Sequence, residues 1–187
     1  LALQSDETIA DGCPGNTTYA TFWNHAGTHL DAPAHMVPGG LPVWQLSATD
    51  LVFQMPLVLD LPKADDELVT EADLAHFANA LTGCDLLLLR TGHSRWRAAE
   101  PERYRDRNPG LSRAAARYLA QPQFASLRAI GIDAISIAAN AWLDQGIEAH
   151  HILFSAPRPR PVLIIEDMDL SSDLGGLSEV IAAPFLV

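Results

Sequence analysis

"CDLLLLRTG" (84–92) constrains the fold of this chain more than any other segment. Leu86, Leu87, Leu88 and Leu89 are consecutive, so in an extended chain they point alternately to opposite sides. The run is short and bounded, which marks a strand, and its lack of polar alternation marks a strand buried on both faces. A sheet covered on both sides is the arrangement of α/β domains. The neighbouring patterns agree. "FQMPLVLDLP" (53–62), "LRAIGID" (127–133) and "VLIIEDMDL" (162–170) read as further strands, as does the Thr- and aromatic-rich "TTYATFWN" (17–24).

Helical patterns alternate with them. Residues 69–83 carry Thr70 as N-cap, Asp73 three positions on and Gly83 as a stop, with Leu74, Phe77, Ala78 and Leu81 as the apolar stripe. Residues 111–121 form a second capped, Ala-rich pattern, and residues 146–154 a short helix. "MVPGGLPVW" and "SAPRPRP" are loops, the latter stiffened by proline. "HSRWRAAEPERYRDRNPG" (93–110) reads as a charged loop able to act as a lid. The expectation is an α/β fold: one domain over residues 1–187, with a mixed β-sheet and flanking helices.

A net charge of −11 argues against nucleic acid or an anionic membrane as partner, since both repel an acidic surface. No apolar run approaches the ~20 residues that span a bilayer. The 2 cysteines, Cys13 and Cys84, make no disulfide framework and read as inert thiols in a reduced, cytoplasmic setting. The chain starts at Leu1 with no signal-peptide pattern, and both ends read as trimmed from a longer chain.

"NHAGTHLDAPAH" (24–35) gathers His25, His29, His35 and Asp31 in one stretch of a chain with 7 histidines. Gly27, Asp31 and Pro33 disfavour a helix, so the stretch reads as a loop leaving a strand edge. Loops on a rigid sheet are frequent hosts of chemistry. Two imidazoles and a carboxylate suit Zn²⁺ or another divalent first-row ion with an open coordination position. A second cluster, "EAHHILFSAPRPRPVLIIED", holds His150, His151 and Glu166. A carboxylate directly after "VLII" must be paired or exposed, because a bare buried charge is costly. Taken by itself, Glu166 ending its strand in solvent is the simpler alternative.

"HAGTHLDAPAH" resembles the signature of the cyclase family of metal-dependent hydrolases, which includes bacterial kynurenine formamidase and isatin hydrolase. "LLLLRTGHSRW", "PGLS" (109–112), "IGID" (130–133) and "AHHILF…IIE" follow in the family's order, so the resemblance spans residues 17–170. It implies a swivelling β/β/α-like fold. It also implies that His25, His29 and Asp31 bind one metal, and that Asp31 bridges to a second held by His150 and Glu166. His150 is preferred to His151 as the first of the pair. His35 is implied as the general acid/base.

The implied cofactor is Zn or Mn, one or two ions per chain, and the implied assembly a homo-oligomer. The implied reaction is hydrolysis of a C–N amide bond in a small, aromatic substrate, an N-formylkynurenine-like arylformamide or a lactam, by metal-activated hydroxide. A metal-dependent cyclase or lyase, or a non-catalytic metal-binding homologue, shares the same motif. Four features depart from the family pattern, the first being that the stretch before residue 17 lacks the usual Pro/Gly-rich opening. The interval from His150 to Glu166 is longer, Ala138 stands where an aspartate is usual, and the C-terminal "DxSPxR" segment is absent. Phe22, Trp23, Trp44 and Trp96 are candidates for an aromatic substrate pocket, with His93 as a pocket residue rather than a ligand.

Overall fold

The four leucines lie in one of the inner strands of a five-stranded sheet in the computed structural model, which describes residues 2–184. In chain order the strands are β1 (Ala2–Ser5), β2 (Thr18–Thr21), β3 (His29–Asp31), β4 (Val52–Phe53), β5 (Pro56–Asp60), β6 (Leu68–Val69), β7 (Leu86–Arg90), β8 (Gly110–Leu111), β9 (Ala129–Ile132), β10 (Leu163–Glu166) and β11 (Val180–Ile181). The α-helices are α1 (Glu71–Ala75), α2 (Ala78–Gly83), α3 (Trp96–Ala99), α4 (Pro101–Asp106), α5 (Arg113–Leu119) and α6 (Leu143–Phe154). The central sheet has the order β3-β10-β9-β7-β5. The three pairings among β5, β7, β9 and β10 run parallel, and β3 joins antiparallel at the edge, so the sheet is mixed as expected.

Pleating sends alternate leucines into two cores. Leu87 and Leu89 pack with Leu74, Leu81, Leu119 and Leu153 from the helices. Leu86 and Leu88 pack with Phe53, Leu163 and Ile165 on the other face, which loops and short 3₁₀ turns cover instead of helices. The two-stranded ribbon β1–β2 stands apart, with every residue exposed. Among the described residues no helix is long and apolar enough to cross a membrane.

Several expectations are corrected. The helix over 69–83 is two short helices. Thr70 and Asp73 form the expected reciprocal cap, but the chain breaks at His76 and Phe77. The break shifts the helical phase, so Leu74 and Leu81 are buried while Phe77 is exposed. Residues 93–110 are not an open charged loop. They form α3 and α4, bury Tyr104, and tie down their arginines: Arg97 to Asp167, Arg103 to Asp65 and Arg107 to Asp66. The helix at 146–154 starts earlier, at Leu143. The strand at 162–170 stops at Glu166, because Asp167 turns to φ 57.

The histidine-rich stretch also differs from the expected loop. Residues 29–31 are strand β3, hydrogen-bonded in the central sheet, and Pro33–His35 is a 3₁₀ turn. In a strand, residues two apart share a face. The His29-x-Asp31 spacing is therefore strand spacing, and it aims both side chains the same way.

Candidate metal centre

The antiparallel register of β3 on β10 sets Glu166 directly opposite His29. Paired residues on one face sit side by side, and His29 Nε2 lies 3.5 Å from Glu166 Oε2. His150 reaches the same carboxylate from α6, with Nε2 3.3 Å from Oε1. His25, on the turn before β3, puts Nδ1 3.5 Å from Asp31 Oδ1, and His29 Nε2 is 3.8 Å from that oxygen. His35 follows on the 3₁₀ turn, its Nε2 3.8 Å from Asp31 Oδ2 and its ring centroid 4.5 Å from that of His25.

Backbone carbonyls select the tautomers. His29 Nδ1 donates to Gly27 O at 2.9 Å, and His150 Nδ1 donates to Gly146 O at 2.8 Å. Each ring then turns its Nε2 toward the carboxylates. Gly27 sits at φ 80, which lets its carbonyl fold back onto the ring two residues later. Gly146 has a packing reason. A methyl group there would overlap the Cα and Cβ of Ala138, so the glycine lets α6 approach closely enough for His150 to meet Glu166.

The donors form two sets, His25 with His29 and Asp31, and Asp31 with His150 and Glu166, each with its ligand atoms within 4.8 Å of one another. Asp31 is common to both. His29 Nε2 and Asp31 Oδ2 are buried without a hydrogen-bond partner. Buried polar atoms are normally satisfied. Two buried acceptors left orphaned in neighbouring side chains are what a cation would satisfy, and imidazole plus carboxylate donors fit a divalent first-row ion.

The electrostatics are those of a crowded buried cluster. Burial alone would raise the Glu166 carboxyl, but the His150 and His29 imidazoles beside it and the Ile137 N–H outweigh it and bring it down to about 2. Ser136 Oγ adds a donor at 2.9 Å and Ile137 N one at 2.7 Å. Burial lowers His29 and His150, yet Glu166 and the backbone carbonyls more than offset it, so both sit above the ordinary histidine value. Asp31 is raised, first by burial and then by the charge of Glu166. His25 is lowered, first by burial.

Above the centre lies a cavity of about 610 Å³. That volume is in the range of small-molecule sites. His25, His29, Asp31 and His35 line it, with Phe22, Val43 and Trp44 and with residues 180–184. Of the aromatic candidates, Phe22 and Trp44 are on this lining, and Trp23, Trp96 and His93 are not. Trp23 is 76% exposed. Trp96 carries the guanidinium groups of Arg95 and Arg103 over its ring, 4.9 and 3.7 Å from the centroid. His93 is buried, its Nε2 3.0 Å from Tyr104 O and its ring stacked on Tyr104. His151 is exposed, one helical step away from His150. The long "SAPRPRP" turn stays off the site. Arg158 pins it to the carbonyl oxygens of Leu119 and Leu127 at 2.8 and 3.0 Å.

Some parts of the site carry no sequence signal. The Ile137 N–H and the carbonyls of Gly27 and Gly146 are backbone groups. Residues 180–184 reach the cavity because β11 pairs with β4. The buried position of Glu166 was visible only as a carboxylate after an apolar run.

The chain is similar in sequence and fold to several known proteins. The family model described as "Putative cyclase" matches residues 3–139. Kynurenine formamidase of Bacillus cereus is 30% identical over 169 residues, covering 90% of this chain and 72% of that protein. The Bacillus mycoides kynurenine formamidase is 32% identical over 170 residues, again covering 90% and 72%. Among solved structures, a potential metal-dependent hydrolase with cyclase activity superposes with a TM-score of 0.67 at 29% identity, over 96% of this chain and 83% of that one. Isatin hydrolase A from Labrenzia aggregata shares the fold, with a TM-score of 0.72 at 22% identity over 91% and 71%. On its matched sequence, its mixed sheet and its cluster of histidines and carboxylates, the chain belongs to the cyclase family of metal-dependent hydrolases.

Proposed function

We propose that the protein hydrolyses a C–N amide bond in a small aromatic substrate, an arylformamide or a lactam. In this reading His25, His29, Asp31, His150 and Glu166 hold one or two divalent ions, Zn²⁺ or Mn²⁺. The observation that carries it is the pair of orphaned buried acceptors, His29 Nε2 and Asp31 Oδ2, in side chains that line the cavity. A divalent ion, when bound, supplies Lewis acidity toward water and toward a carbonyl oxygen.

The chain's own side chains supply the rest. His35 belongs to neither donor set, yet it lines the cavity beside Asp31. That leaves its imidazole free to take a proton from water and pass it to the departing amine nitrogen. Phe22 and Trp44 offer flat apolar surface for an aromatic ring. Two unpaired cysteines, Cys84 buried among them, support a reduced cytoplasmic setting. Exposed Leu3, Tyr19 and Trp23 on and beside the outer ribbon support a homo-oligomer.

The decisive measurement is metal content together with turnover of N-formylkynurenine and a panel of lactams, before and after chelation. Turnover should vanish with the metal and return when Zn²⁺ or Mn²⁺ is added back. Full activity in the chelated, metal-free protein would sink the reading.

Metal affinity should also depend on pH. His29 and His150 have raised values, so the stability they contribute to the metal-free fold is full below 6.5, their unfolded value, and is lost as pH rises through their folded values. Burial works the other way on His25. Ligation needs neutral imidazoles. Binding should therefore strengthen with rising pH and release protons, as calorimetry in buffers of different ionisation enthalpy would show. Affinity independent of pH would contradict this account.

A further inference from the structure

The residue after Glu166 has an unusual backbone. Asp167 adopts φ 57, a left-handed conformation that a side-chain-bearing residue enters only against a steric penalty. It is almost fully buried, at 4% exposure. Four segments hold it there. Its N–H donates to Ala134 O at 2.8 Å. Its carbonyl accepts Thr28 Oγ1 at 2.8 Å and Arg97 Nη1 at 3.2 Å. Its carboxylate accepts Arg97 Nη2 at 2.6 Å and the Tyr104 hydroxyl.

Two of these grips bear on the centre. Arg97 spans the backbone and the side chain of the same residue with the two arms of its guanidinium, a fork that lysine lacks. Thr28 stands between Gly27, whose carbonyl fixes the His29 tautomer, and His29 itself. The left-handed turn at Asp167 also ends β10 at Glu166, the residue registered opposite His29. One clasp thus joins the turn that aims His29 to the strand end that carries Glu166.

We propose that Arg97 and Thr28 are positioning residues for the metal centre. They hold Asp167 in its left-handed conformation and so keep Glu166 and His29 at ligating separation. The inference rests on the five-residue cluster being a metal centre. Partners of this kind, one step outside the ligands, typically contribute roughly 10- to 100-fold to metal affinity.

The test is titration of metal-free wild type, Arg97→Ala, Arg97→Lys and Thr28→Val with Zn²⁺, and separately with Mn²⁺. It is run at a temperature where circular dichroism shows every variant folded, so a loss of global stability cannot mimic weaker binding. Arg97→Ala should weaken binding by roughly 10- to 100-fold. Arg97→Lys should recover part of the loss, and Thr28→Val should weaken binding in the same direction by less. Should Arg97→Ala not fold, Thr28→Val decides alone, since valine keeps the shape and removes only the hydroxyl. Affinities equal to wild type in the alanine and valine variants would overturn the inference, as would full recovery by lysine. Wild type binding neither metal would instead bring down the metal-centre reading, and this inference with it.

Discussion

Asp31→Asn is expected to abolish metal binding at both donor sets and, at the same time, to make the metal-free protein more stable than metal-free wild type. Asp31 is the one residue common to the two sets, so its loss removes a ligand from each. Turnover should fall by more than the roughly 100-fold that loss of an outer partner costs. The stability change has the opposite sign for a simple reason. Burial and the neighbouring Glu166 charge raise the Asp31 carboxyl above its ordinary value of 3.8. A raised folded value means the contribution to stability is full below the unfolded value and is lost as pH rises through the folded one. At neutral pH the ionised, buried carboxylate therefore burdens the metal-free fold, and asparagine relieves it. Thermal unfolding with and without chelator, beside metal analysis, reads both effects. A variant that keeps its metal, or one less stable than wild type when metal-free, would contradict this account of Asp31.

His35→Ala should behave differently. Its imidazole faces the cavity but belongs to neither donor set, so the variant should bind metal with wild-type stoichiometry. Turnover should drop by roughly 10²- to 10⁴-fold, the usual contribution of a positioned acid or base. The drop should appear in kcat, since the walls of the cavity remain. Added imidazole, small enough to enter the space left, should restore part of the rate. Wild-type turnover in the variant would remove His35 from the mechanism. Metal loss equal to that of Asp31→Asn would make it a ligand instead.

These two residues also show what kind of information a sequence carries. His25, His29, Asp31 and His35 lie within one short stretch, so their proximity is guaranteed by the chain and their chemistry is legible from residue type. Even there the local structure differs from what the residues suggest. Gly27 and Pro33 of the stretch argue for a loop, but pairing with β10 draws residues 29–31 into the sheet, because tertiary hydrogen bonding overrides weak local preference. The interrupted helix over 71–83 and the helical content of 93–110 have the same origin. Thr70 and Asp73 mark a helix start accurately, since a cap is local. Nothing local marks the break at His76 and Phe77 or the ion pairs that hold α3 and α4 down.

The sequence by itself determined a strand buried on both faces, through Leu86, Leu87, Leu88 and Leu89, and the donor types of the first motif, because both depend only on near neighbours. Tertiary structure alone decided that Glu166 is buried against His29 rather than solvated. It also turned His150 inward and left His151 outside, drew residues 180–184 over the cavity, and kept Trp23, Trp96 and His93 away from it. Each of these is a contact between distant segments, fixed by sheet register and by how closely α6 can approach across Gly146. Those quantities arise only when the whole core packs.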